Sequence, residues 1–68
     1  PDDAELLRSL GRLCLQQRLW GKAQSYLEAS LALADRREVR LDLARLFEQT
    51  ERAPLALPHY RAAAEQAS

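Results

Sequence analysis

Sixty-eight residues and 7.7 kDa leave room for one small domain, and a chain this short buries only about 60% of its unfolded surface. Ten basic residues balance ten acidic ones, so the chain lacks the basic excess expected of a nucleic-acid or anionic-membrane binder, and no apolar run is long enough to span a membrane. One cysteine, Cys14, excludes an internal disulfide, and Cys14, His59 and scattered carboxylates make no metal-ligand set.

Leu, Ala, Arg, Lys and Glu together supply 42 of the 68 residues, which points to an all-α chain. The first helix is expected from Asp3 to Gln17, with Leu6, Leu7, Leu10, Leu13 and Cys14 as its apolar stripe. Asp2 and Glu5 have the spacing of a capping box. The second runs from Trp20 to Ala34, where Ala23, Leu27, Ser30, Leu31 and Ala34 share a face. A short connection around Leu19–Gly21 makes these two helices antiparallel neighbours. The third runs from Arg36 to Gln49, with Asp35 and Glu38 repeating the capping spacing and Val39, Leu43, Leu46 and Phe47 as the stripe. The fourth, Pro54 to Ala67, carries Ala56, Leu57, Tyr60, Ala63 and Ala64. Pro54 suits a first turn, whereas Pro58 removes a backbone bond and predicts a kink or a later start.

Two helical hairpins in succession suggest a repeat. Shifting the sequence by 33 residues aligns nine identical pairs among 35: Asp2/Asp35, Glu5/Glu38, Leu10/Leu43, Arg12/Arg45, Leu13/Leu46, Gln16/Gln49, Ala23/Ala56, Ala29/Ala62 and Ala34/Ala67. The polar matches weigh more than the Leu and Ala matches, which composition inflates. The chain is divided accordingly into repeats 1–34 and 35–68 of one domain. It begins at Pro1, without a methionine, and stops in an alanine-rich stretch, so a piece of a longer protein is expected.

Within each copy a spacing appears: Leu7-x2-Leu10-Gly11-x2-Cys14 then Ala23-x3-Leu27, and Arg40-x2-Leu43-Ala44-x2-Phe47 then Ala56-x3-Tyr60. This resembles the tetratricopeptide repeat (TPR) family, with Gly11, Ala44, Ala23 and Ala56 at the close helix contacts. Departures are Arg40 at the first large position, a period shortened by one, and Asp35 or Ser68 where proline is usual. The run LGRLCLQQRLWGKAQSYLEASLAL resembles the C-terminal repeats of HemY proteins, which are bacterial TPR proteins associated with haem biosynthesis. LARLFEQTERAPLALPHYRAAAEQ resembles the repeat that follows.

The TPR resemblance implies four antiparallel helices in two hairpins, part of a right-handed superhelix, with a partner-binding groove along the first helix of each repeat. Carried over by the repeat match, the groove residues are Glu5, Arg8, Arg12 and Gln16, then Glu38, Leu41, Arg45 and Gln49. Independently of the family, Glu5, Arg12 and Gln16 recur as Glu38, Arg45 and Gln49, so two equivalent polar strips should stack. Arg8, Arg12 and Arg45 suit bidentate capture of a carboxylate. A solvated face with intrahelical pairs such as Arg45–Glu48 explains the same residues without a ligand. The HemY resemblance implies an upstream anchor in the bacterial inner membrane, a water-facing TPR part and late haem-pathway enzymes as partners. A soluble, cytoplasmic TPR scaffold or chaperone is the alternative, and a haem-binding regulator a third.

The remaining residues call for no chemistry. Cys14 reads as a small core residue, and His59 as solvent-facing. Trp20 and Tyr26 read as packing residues or a surface anchor. Arg36, Arg37 and Arg40 form a basic cluster at the repeat junction. No nucleophile has a base at a recognisable spacing and no glycine-rich phosphate loop exists, so an enzyme is not expected, nor a cofactor. Because a hairpin of this kind buries its face on the next, the fourth helix is expected to seek cover, by self-association if nothing else.

Overall fold

In the computed structural model, which describes residues 2–66, the chain is all-helical. Four helices follow one another: α1 (Asp3–Gln16), α2 (Trp20–Leu33), α3 (Arg37–Gln49) and α4 (Ala53–Gln66). Among the described residues there is no strand. The boundaries fall within a residue or so of those expected, except that Ala67, the expected last residue of α4, lies outside the described residues.

Asp2 caps α1, accepting the Glu5 backbone N–H at 2.8 Å. The second capping expectation fails. Arg36, not Asp35, stands at the α3 N-cap, and no side chain caps it. Asp35 is drawn away by Arg40, whose Nε and Nη2 donate to its two carboxylate oxygens at 2.9 and 2.8 Å.

The connections echo each other at an offset of 33. Gln17 N–H bonds Leu13 O, Arg18 N–H bonds Leu15 O and Leu19 N–H bonds Cys14 O. The same three bonds recur as Thr50 to Leu46, Glu51 to Glu48 and Arg52 to Phe47. Arg18 and Glu51 are both left-handed, with φ of 58° and 60°, a conformation that usually falls to glycine. Gly21, expected in the first turn, lies inside α2 instead. Pro58 lies inside α4, which continues through it. The bond it forfeits would have ended on the carbonyl of Pro54 in the exposed first turn, where water can replace it.

Packing runs α1 on α2, α2 on α3 and α3 on α4, with α1 also beside α3. The core is Ala23, Leu27, Val39, Leu43, Ala44, Leu46, Phe47 and Ala56, with Cys14, Leu15, Leu31 and Tyr60 against it. The expected α3 stripe is therefore the buried one. On α1 the expectation is half wrong, because Leu6 and Leu13 are 56% and 54% exposed. The α1 surface that closes on α2 is Ala4 and Gly11. It must be small there, since Ser30 Oγ donates to Ala4 O at 2.6 Å and a Cβ on Gly11 would stand 2.7 Å from Leu27 Cγ. Of the residues picked out on α4, Ala56 and Ala63 are buried whereas Leu57 and Ala64 are exposed.

Candidate functional site

α1 and α3 lie side by side, and their C-terminal halves carry matched side chains four residues apart, which places them on one helix face. Arg12 and Gln16 from α1, with Arg45 and Gln49 from α3, line one open depression of about 230 Å³ together with Leu15 and Asp42. Leu15, Gln16 and Gln49 also line an adjoining one of about 400 Å³, whose other walls are Arg18 and Trp20. The two form a continuous groove that ends at the α1–α2 turn. Left-handed Arg18 and the first residue of α2, Trp20, are placed there by the turn.

Four of the eight residues expected in the groove thus come together. Arg8 is diverted: its Nε donates to Asp42 Oδ2 at 2.8 Å, and the Asp42 side chain is only 7% exposed. A buried carboxylate needs such a partner, so Arg8 serves Asp42 and not a ligand. Glu5 and Glu38 are exposed in the first turns of α1 and α3, away from the depression, and Leu41 is half-buried. The groove also contains residues not expected there. Asp42, Leu15, Arg18 and Trp20 belong to it. The signal for Asp42 was an acid set directly against the apolar stripe Leu43, Leu46 and Phe47.

The charge of the groove differs from that of the chain. Arg12, Arg18 and Arg45 have no carboxylate within ion-pair distance among the described residues, and the groove's one acid, Asp42, is matched by Arg8. The alternative pair Arg45–Glu48 does not form. Glu48 instead accepts the Tyr60 hydroxyl at 2.6 Å, which raises the Tyr60 pKa above its ordinary value.

At the opposite end of the helices the charges cancel. Arg36 donates to both oxygens of Asp2, at 3.3 and 2.6 Å, and with the Glu5 N–H it lowers the Asp2 pKa to about 2. Arg40, then Gln66, lower that of Asp35 to about 2. The basic cluster at the junction is therefore spent on two acids, with only Arg37 of the three outside these pairs.

His59 is not the solvent-facing residue expected. It is half-buried, stacked on Phe47 with ring centroids 5.7 Å apart. Arg40 Nη1 lies 3.1 Å from His59 Nδ1. A guanidinium only donates, so Nδ1 accepts and the ring is neutral. Burial first, and Arg40 second, push its pKa below the ordinary value.

Among the described residues no group of three or more His, Cys, Asp or Glu could hold a metal ion, and no helix is long and apolar enough to cross a membrane. No known family model, curated protein or solved structure matches the chain.

Proposed function

We propose that the chain is a non-catalytic interaction module of the tetratricopeptide kind, whose α1–α3 groove takes an extended, carboxylate-bearing segment of a partner protein. The supporting observation is the meeting of Arg12, Arg45 and Arg18 along one groove whose acid, Asp42, is already engaged by Arg8, in a chain whose net charge is zero. Planar guanidinium groups grip carboxylates bidentately. The amides of Gln16 and Gln49 both donate and accept, which suits the backbone of an extended peptide. Leu15 and Trp20 at the turn end offer an apolar contact for one side chain of the guest. The two runs that resemble HemY proteins extend the proposal to a haem-biosynthesis-associated protein, anchored upstream in the bacterial inner membrane, with late haem-pathway enzymes as partners.

Trp20 is the chain's single tryptophan and stands in the groove wall, so its emission reports occupancy. Pools of acidic, neutral and basic peptides are titrated at low and moderate salt. Acidic peptides are expected to shift the emission, more weakly as salt screens the contact. Arg12→Glu/Arg45→Glu should reduce affinity at least tenfold, since a hydrogen bond to a charged group is worth about 1.5–3 kcal/mol. Equal binding of all three pools, or unaltered binding by the double variant, would overturn the proposal.

A further inference from the structure

Asp2, Asp35 and Asp42 are all paired with arginine, but not in the same way. Arg36 donates to both oxygens of Asp2, and Arg40 to both oxygens of Asp35. Those two acids are exposed. Arg8 donates to Asp42 through Nε alone, to Oδ2 at 2.8 Å, although the Asp42 side chain is the most buried of the three. Asp42 Oδ1 therefore has no hydrogen-bond partner among the described residues. No fully buried side-chain nitrogen or oxygen among those residues lacks a partner, so Oδ1 is a part of Asp42 that solvent reaches. The surface on which it opens is the depression that Asp42 lines together with Arg12 and Arg45.

A guest that covers this depression strips water from Oδ1. It must supply a donor in exchange, or leave a charged acceptor unmet. An ammonium or guanidinium group does not suit the place. Arg8, Arg12 and Arg45 outnumber Asp42 three to one there, so the local field repels a further cation. A neutral N–H suits it, and every residue of an extended peptide except proline carries one on its backbone. The guanidinium groups fix which one: with a guest carboxylate on Arg12 and Arg45, the amide over Asp42 is one that adjoins the acidic residue.

We infer that Asp42 Oδ1 accepts a backbone N–H of the guest beside the acidic residue gripped by Arg12 and Arg45. The groove thus selects an acidic side chain with a free amide next to it, and rejects the same segment when that N–H is missing. This rests on the carboxylate-peptide reading of the groove and adds a specificity-determining acceptor to it. The two oxygens of Asp42 then have separate duties. Oδ2 ties α3 to α1 through Arg8, and Oδ1 reads the guest.

The probe is the capped peptide acetyl-Ala-Ala-Glu-Ala-Leu-Ala-amide, titrated to millimolar concentration and followed by Trp20 emission. Two analogues carry an ester in place of the amide of the glutamate or of the residue after it, which removes one N–H and keeps the carboxylate. One of the two esters should bind the parent chain at least tenfold more weakly than the amide, the loss expected for a hydrogen bond to a charged group. In Asp42→Asn the side-chain oxygen is taken by Arg8 and an NH2 group faces the guest. Amide and esters should then bind alike, although the groove has gained positive charge. Esters that match the amide on the parent chain, with binding still lost in Arg12→Glu/Arg45→Glu, would overturn this inference and leave the proposed function standing. That comparison needs no Asp42 variant, so it decides the matter even if Asp42→Asn does not fold. An Asp42→Asn protein that discriminates as the parent does would also overturn it. Failure of the amide probe to bind would remove the carboxylate-peptide reading and this inference with it.

Discussion

Gly11 is the residue on which the first hairpin turns. A methyl group there would lie 2.7 and 2.8 Å from Leu27 Cγ and Cδ2, and Leu27 is fully buried. Overpacking of this kind costs about 1–3 kcal/mol, against which alanine's better helix propensity returns about 1 kcal/mol. Gly11→Ala is expected to destabilise by roughly 1 kcal/mol in urea unfolding. Gly21→Ala meets nothing within 4 Å and should be neutral or slightly stabilising. Equal effects would show that the α1–α2 distance is not set at Gly11. The need for a small residue at Gly11 is legible in the sequence through the tetratricopeptide resemblance, which implies a close helix contact at Gly11 and Ala23. The left-handed turns at Arg18 and Glu51 are not legible, since neither residue type announces that conformation.

Between elements, one tie from α1 to α3 is the Arg8–Asp42 ion pair, and its two partners are unequally placed. Asp42 is nearly buried whereas the Arg8 side chain is 27% exposed. Arg8→Leu strands a desolvated carboxylate and should cost about 1–3 kcal/mol. Arg8→Leu/Asp42→Leu should recover much of that, because removing a buried pair together is far cheaper than removing one partner. A double-mutant cycle on unfolding midpoints checks it, and strict additivity would contradict the coupling. This pair also explains why half of the candidate groove could be read in advance. Arg12, Gln16, Arg45 and Gln49 follow from helical spacing and the repeat. Arg8 belongs to the same strip by spacing, yet a neighbour across the helix interface claims it. The same reason undoes Asp35 as a cap: Arg40, five residues along, competes for it.

The whole molecule measures 30 × 28 × 15 Å, and its short dimension is little more than one helix diameter. Few side chains can be far from water in such a slab, so its polar ties are mostly exposed and individually modest, and their titration should appear as small changes in stability. His59 has a folded-state pKa below 6.5. The unfolded chain takes up a proton there before the folded one does, so stability falls as pH drops below 6.5. Asp2 and Asp35 have folded values of about 2 against an ordinary 3.8. Their contribution is complete above 3.8 and is lost as pH falls through about 2. Urea midpoints measured against pH should therefore decline in two stages, and His59→Gln should abolish the first. A flat profile from pH 7 to 5 would count against the Phe47–His59–Arg40 arrangement.

Composition and a period of 3.6 are local properties, so the four helices, their approximate ends and the inward face of α3 follow from the order of residues alone. The 33-residue echo likewise places Arg12 with Arg45 and Gln16 with Gln49. Burial follows a different logic, because it depends on whether another element happens to arrive. Leu6 and Val39 occupy equivalent positions with equally apolar side chains. One is exposed and the other buried, because only α3 has a preceding hairpin beside it. The partners of Asp42 and His59 were decided in the same way, by which side chain across an interface reached them, whereas Asp35 was taken by Arg40 of its own segment.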